Sequence, residues 1–418
     1  MSKQKSPLLP IFVTVFLDML GVGIIIPVIP ALFFEGNEFF GPEVAREYKS
    51  ILYGLLLASY PFMQFFGAPL LGMFSDRYGR KPMLTLSLTG TMLGYVLFAY
   101  AIGSGSVFLL FFSRMFPGFF GGNISIVYSA IADVSDEKSK PKNFGLVGMA
   151  FGLGFILGPT LGGIMADETV VGWFSPATPF IFTSILTFLN ILLVKHYFRE
   201  TLPALQKGAA AEVSEKTKPL SWGSIFNGFR NIATSFREAD LRVIFTVVLL
   251  LSLGFSFYAQ FFSVLLIEGF SYSEKDIGFL FGWIGVWLVF TQGFIVPRLS
   301  KVVSPKIVPM VSLLGQSIFI GLVLLPGQSF WFYIINPFIA LFHGVTTPNL
   351  TTVVSMQAGA DRQGEVMGIN QSMLSLGQIV PPVLGGYLNT LNGNFPILVG
   401  AAVLFAGWAV YVFVFQRR

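Results

Sequence analysis

Long apolar stretches alternate with short polar ones from end to end of the chain. The first runs from Leu8 to Phe34 with Asp18 as its single charge. About 20 apolar residues at 1.5 Å each cross the hydrocarbon of a bilayer, so a run of this length predicts a membrane-spanning helix. The same pattern recurs and predicts twelve spans: 8–34, 50–74, 83–102, 107–131, 144–166, 177–197, 241–267, 277–297, 306–326, 329–355, 364–389 and 395–415. An all-α membrane protein follows. A longer polar connector, 199–240, separates six spans from six, and its stretch Trp222 to Phe236 has the pattern of an amphipathic helix lying on a membrane surface. The division expected is a six-helix bundle over 1–198, the linker 199–240 and a second six-helix bundle over 241–418.

Composition agrees with that pattern. Charged residues make up 11% of 418 and hydrophobic ones 54%, against about 25% charge in a soluble domain. Lys and Arg collect on one side of the predicted spans. Only Arg46, Lys49 and Lys275 fall on the other side, and Arg114 lies within a span. The positive-inside rule therefore predicts cytoplasmic N- and C-termini of a multi-pass protein in the cell (inner) membrane. The net charge of +5 is strung along loops, so no nucleic-acid partner is expected. With no Cys and two His, neither thiol chemistry nor a metal site is expected. No Gly-x4-Gly-Lys-Ser/Thr phosphate loop occurs in the chain. An enzyme is disfavoured on the same grounds.

The two halves repeat in sequence. At an offset of 226, Gly118, Asn123, Val127 and Ser129 match Gly344, Asn349, Val353 and Ser355. At 223, Gly145, Gly154, Pro159, Leu161, Gly162 and Gly163 match Gly368, Gly377, Pro382, Leu384, Gly385 and Gly386. At 221, Gly72, Arg77 and Arg80 match Gly293, Arg298 and Lys301. A parallel repeat of two bundles with a site between them at the midplane is a transporter architecture. The charges do not repeat: Asp76 meets Pro297, Arg114 meets Ala340 and Pro117 meets His343. One half is thus expected to handle an ion while the other shapes the substrate cavity.

Three segments resemble the major facilitator superfamily, and within it the twelve-span drug:proton antiporters that include the tetracycline exporters. Gly72-Met-Phe-Ser-Asp-Arg-Tyr-Gly-Arg-Lys81 resembles the superfamily's signature between spans 2 and 3. The span 1 stretch Phe16-Leu-Asp18-Met-Leu-Gly-Val-Gly-Ile-Ile-Ile-Pro27-Val-Ile-Pro30 and the span 5 stretch Gly154-Phe-Ile-Leu-Gly158-Pro159-Thr-Leu-Gly162-Gly163 resemble signatures of the antiporter group. Arg114-Met-Phe-Pro117-Gly118 is similar to the span 4 signature, with Pro117 where Gln is usual. That departure removes an amide and introduces a residue that kinks helices.

The resemblance implies a major facilitator fold and a secondary exporter that exchanges protons for an amphipathic small molecule by alternating access. A lipid or glycolipid flippase on the same scaffold is the alternative. No cofactor is implied beyond the coupling proton, and the partners expected are substrate and membrane lipid around a working monomer.

A carboxylate deep in a span is costly unless it functions, so Asp18 is the candidate proton carrier. Arg114 is expected to approach it as the opposite charge. Gating is expected from Gly72, Asp76, Arg77, Gly79, Arg80 and Asp133, with Asp76 facing the N–H groups at the start of span 11 near Gly364 and Arg80 pairing with Asp133. Gly158, Pro159, Gly162 and Gly163 are expected to let helices pack closely or to gate. Gln64, Asn123, Gln260, Gln292, Asn336, His343 and Asn370 are candidates for the cavity wall, with Asn349, Gln371 and Gln378 as further polar positions.

Overall fold

In the computed structural model the described residues, 8–34, 39–41, 43–203, 238–272, 274–359 and 362–416, form helices and connecting turns with no strand among them. The predicted surface helix at 222–236 lies outside these residues. Among the described residues twelve helical elements appear in order, nine of them long and apolar enough to cross a membrane. They are α1 (Leu8–Phe34), α2 (Arg46–Tyr78), α3 (Arg80–Ser104), α4 (Val107–Phe120 continued by Asn123–Asp133), α5 (Lys140–Ala166) and α6 (Thr178–Tyr197). Then follow α7 (Ala239–Phe270), α8 (Glu274–Phe290, Thr291–Ile295 and Val296–Val302), α9 (Val308–Leu322), α10 (Phe330–Gln357), α11 (Gln363–Leu391) and α12 (Phe395–Val410, prolonged by Tyr411–Phe415). Several outrun the predicted spans. The apolar pattern reports the hydrocarbon thickness, whereas the helix continues until its hydrogen bonding is interrupted.

Those interruptions have local causes. Gly79 joins α2 to α3 at φ 100°, a backbone region that side chains disfavour. Ser106 starts α4, its Oγ accepting from the Leu109 N–H at 3.4 Å. Within α4 the break at Gly121 and Gly122 falls four residues beyond Pro117. Its freed carbonyls are not left bare: Phe120 O accepts from Ser87, Gly121 O from Gln64 Nε2 at 2.8 Å, and Gly122 O from Ser125 Oγ at 2.6 Å. In α8 a π-helical turn, Thr291–Ile295, precedes Pro297. A proline there cannot donate to the Gly293 carbonyl, and the wider turn absorbs the missing bond.

The halves meet along two seams at the end of the molecule that carries Gly79. In the first, α2 lies on α11, and a Cβ at Gly368 would come within 2.5 Å of Pro69 Cα. Farther along, Ser372 Oγ donates to Phe65 O at 2.6 Å and Ser375 Oγ to Gln64 Oε1 at 2.8 Å. In the second seam α5 lies on α8, with Gly152 against Val289 and Ile156 against Gly285. Small residues on both seams bring backbones close, the usual way helices associate where lipid competes with apolar contact.

Candidate functional site

Asp18 sits on α1 with 8% of its surface exposed, inside the first half. Its Oδ2 accepts a hydrogen bond from Asn123 Nδ2, the first residue after the break in α4. The break therefore positions the one side chain that, among the described residues, bonds Asp18. Beneath the carboxylate, α5 presses its glycines onto α1. A Cβ at Gly154 would meet Met19 and Leu20, and one at Gly158 would lie 2.6 Å from Gly23 Cα. One at Gly162 would lie 3.0 Å from Ile24 Cα, and Pro159 Cδ comes near Gly23 as well. Gly163 faces open space. The span 5 signature is thus, for three of its glycines, the surface on which the Asp18 helix rests.

Arg114 is not where charge alone would put it. Among the described residues no ion pair joins it to Asp18. Nine positions, about 13 Å of helix rise, separate it from Asn123 along α4. The guanidinium instead lies 5.1 Å from the centroid of the Tyr60 ring, a cation–π placement. Tyr60 and Tyr95 are within electrostatic reach of both Asp18 and Arg114. Tyr60, Thr91, Tyr95, Ser113, Arg114 and Pro117 line a cavity of about 20 Å³, room for about one water. Thr91 Oγ1 and Arg114 Nε are buried there without a hydrogen-bond partner. Pro117 fills the space opposite Gly94, whose added Cβ would come 2.5 Å from the proline ring.

Asp76 and Arg80 make the contacts expected of them. Asp76 Oδ1 accepts from the Gly364 N–H at 2.7 Å and Oδ2 from the Glu365 N–H at 2.8 Å, capping the first turn of α11 from the other half. Arg80, fully buried, donates to Asp76 at 2.6 Å, to Ser75 Oγ at 2.6 Å and to Asp133 at 2.9 Å. Gly72 touches the Gly364 carbonyl, and Gly79 makes the turn. Arg77 lies 5.5 Å from the centroid of the Tyr78 ring. Sequence reasoning missed Glu200, whose carboxylate accepts from the backbone N–H of Arg80 at 2.9 Å and of Lys81 at 3.0 Å, capping α3. It missed Thr201 too, which donates to Asp133 at 3.2 Å. No short motif carries that signal, because the capped helix begins 120 residues earlier. Just ahead of α11, Arg362 pairs with Glu365 at 3.0 Å and Glu238 at 2.8 Å. Its hydrogen bonds to Glu365 and Glu238 push its pKa still higher.

Several residues expected at the cavity wall make contacts within the helix packing. Gln64 clasps the two halves, accepting also from Gln371 Nε2 at 3.4 Å. Asn123 holds Asp18. Gln292 is wedged against Gly148 on the α5–α8 seam. Asn336, fully buried, accepts from the Tyr258 hydroxyl and donates to Phe332 O at 2.8 Å. Asn349 donates to its own helix at Val345 O, 2.7 Å away. His343 stacks on Phe255 with centroids 3.7 Å apart and bonds Gln316 at 3.0 Å. Gln260 and Gln378 are exposed, and Gln260 bonds Ser256 at 2.9 Å. Asn370 is buried with neither amide atom partnered. Gln64, Asn123 and Asn336 are buried and hydrogen-bonded within the helix packing, whereas Gln292 is buried on the seam with its Oε1 unpartnered.

The repeat carries the charge asymmetry into three dimensions. Gly154 seats on Met19 and Leu20, and its repeat partner Gly377 seats on Ser252 and Leu253. That correspondence sets the apolar Leu251 opposite Asp18.

Twelve helices in two halves that repeat in sequence define the class of protein, and the chain belongs to the major facilitator superfamily, whose model matches residues 11–380 and 244–418. It is a transporter and not an enzyme. The chain is 30% identical over 419 residues to the class H tetracycline resistance protein of Pasteurella multocida, covering 99% of this chain and 97% of that one. To the class E tetracycline resistance protein of Escherichia coli it is 31% identical, over 90% and 86%. Its fold matches that of the human organic anion transporter MFSD10 (TETRAN) with a TM-score of 0.83 at 22% identity, over 98% of this chain and all of that one.

Proposed function

We propose that the chain is a proton-coupled exporter of amphipathic small molecules, tetracycline-like compounds among them, working as a monomer by alternating access. Its termini and the Gly79 loop lie in the cytoplasm of a cell that carries it in its inner membrane. In this orientation the structure is closed to the cytoplasm. Apart from the coupling proton no cofactor takes part, and lipid and substrate are its partners. One observation carries the reading: the buried Asp18, held by Asn123 and seated on the glycine surface of α5. Taking up a proton removes a buried charge, and releasing it calls for water or a cation. Movement of α1 over the α5 glycines changes which of these Asp18 meets. Tyr60, Tyr95 and the small cavity offer the route toward Arg114. The drug-resistance relatives favour this reading over lipid flipping.

The test is transport in proteoliposomes with an imposed pH gradient, screened over tetracyclines, lipophilic dyes and labelled lipids. Gradient-dependent movement of a tetracycline or dye supports the reading. Movement of labelled lipid alone overturns it.

A further inference from the structure

Asp76 is a charge that the first half sends into the second, and a lysine is another. Lys140, at the start of α5, is 9% exposed. Its Nζ donates to Ser355 Oγ at 2.9 Å, across the interface and in the last turn of α10. Ser355 Oγ donates in turn to Gln363 Oε1 at 3.0 Å, and Gln363 Nε2 donates to the α10 carbonyls of Ser355 at 3.0 Å and Ala358 at 3.3 Å. Gln363 directly precedes Gly364, which Asp76 caps. One corner, from the end of α10 to the start of α11, is therefore held twice by the opposite half. An anion sits at the positive end of α11 and a cation at the negative end of α10, each the favourable sign for its helix end. Lys140 and Gln363 are also repeat partners at the offset of 223. Both converge on Ser355, so the two pseudo-equivalent corners meet there.

We propose that Lys140 and Ser355 form a second lock on the closed end, acting beside the Asp76 cap and independently of it. The inference rests on the gating reading above. Lys140 is a positioning residue: it holds the closed arrangement and touches no substrate. Opening this end strips the buried ammonium of its partner at the same moment that Asp76 leaves α11. Closure is then recognised at both ends of the corner and not at one.

The chain has no Cys, so Glu137→Cys and Val302→Cys, at exposed positions of opposite halves near this end, take spin labels without competition. Double electron–electron resonance on the full-length protein in lipid nanodiscs then reads closed and open populations. Measurements are made alone and with Asp76→Asn, which enlarges the open population. A hydrogen bond to a charged group lost from a buried site corresponds to about a tenfold change or more. Lys140→Ala is expected to lower the closed-to-open ratio about tenfold, and Lys140→Arg to restore most of it. Ser355→Ala is expected to act similarly and add little to Lys140→Ala, whereas Asp76→Asn and Lys140→Ala multiply. If Asp76→Asn shifts the populations and no Lys140 variant does, the second lock is wrong and the gating reading stands. If Asp76→Asn is silent as well, the gating reading falls and takes the lock with it.

Discussion

Gly72→Ala is the substitution whose consequence follows most directly from the geometry. A methyl group at Gly72 collides with the carbonyl oxygen of Gly364, lies 2.9 Å from that carbonyl's carbon and comes 3.3 Å from Gly368 Cα. Both obstacles are backbone, so no side chain can swing aside. Carbon atoms sit comfortably at about 3.5–4.0 Å, so α2 and α11 must part by roughly 1 Å. The same movement stretches the bonds from Asp76 to the Gly364 and Glu365 N–H groups, now 2.7 and 2.8 Å, past useful length. Each charge-assisted bond contributes about 1.5–3 kcal/mol. Losing both removes on the order of 3–6 kcal/mol from the closed state, or about 100-fold or more in its population. The expected phenotype is low turnover with substrate affinity nearly unchanged, because this contact lies at the end of the bundle, several turns from Asp18. Initial transport rates against substrate concentration in proteoliposomes, with spin-label distances across the closed end, separate the two quantities. Wild-type turnover with unaltered distances would refute the claim that this close approach sustains closure.

Other substitutions divide the candidate site by role. Asp18→Asn keeps an oxygen to accept from Asn123 Nδ2, so thermal stability should move by less than about 1 kcal/mol while gradient-driven transport is abolished; gradient-driven exchange at the normal rate would remove Asp18 from the mechanism. Gly158→Ala should cost about 1–3 kcal/mol by overpacking against Gly23. Gly163→Ala, facing open space, should be neutral or stabilising by up to about 1 kcal/mol; equal effects in a melting assay would show that the signature does not pack as described. Glu200→Ala uncovers two N–H groups of α3 and should lower stability by about 0.5–2 kcal/mol, read as a drop in Tm with substrate affinity preserved.

The apolar pattern by itself determined that the chain is built of helices, and their order. In lipid every backbone polar group must bond within its own segment, so a long uncharged run has helix as its outcome. Local chemistry was equally legible at Gly79, where a turn needs a backbone that only glycine adopts easily. The resemblance also led correctly to the bonds from Asp76 to the start of α11 and from Arg80 to Asp133. What the sequence could not decide was which polar groups share a neighbour. Arg114 and Asp18 look like partners along the chain, but Pro117 and the break at Gly121–Gly122 bring Asn123 to the carboxylate and leave Arg114 against Tyr60. Gln64 carries no sign in the sequence that Ser375 and Gln371 are its partners, and the α2–α11 seam places them beside it. Glu200, Lys140 and Ser355 carry no motif at all. Their partners lie 120 and 215 positions away, and only helix packing, a sum of many weak contacts set by glycine and side-chain volume, selects them. Hydropathy acts along the chain and survives reading in one dimension, whereas hydrogen bonds across helices depend on rotation and depth, which tertiary structure alone sets.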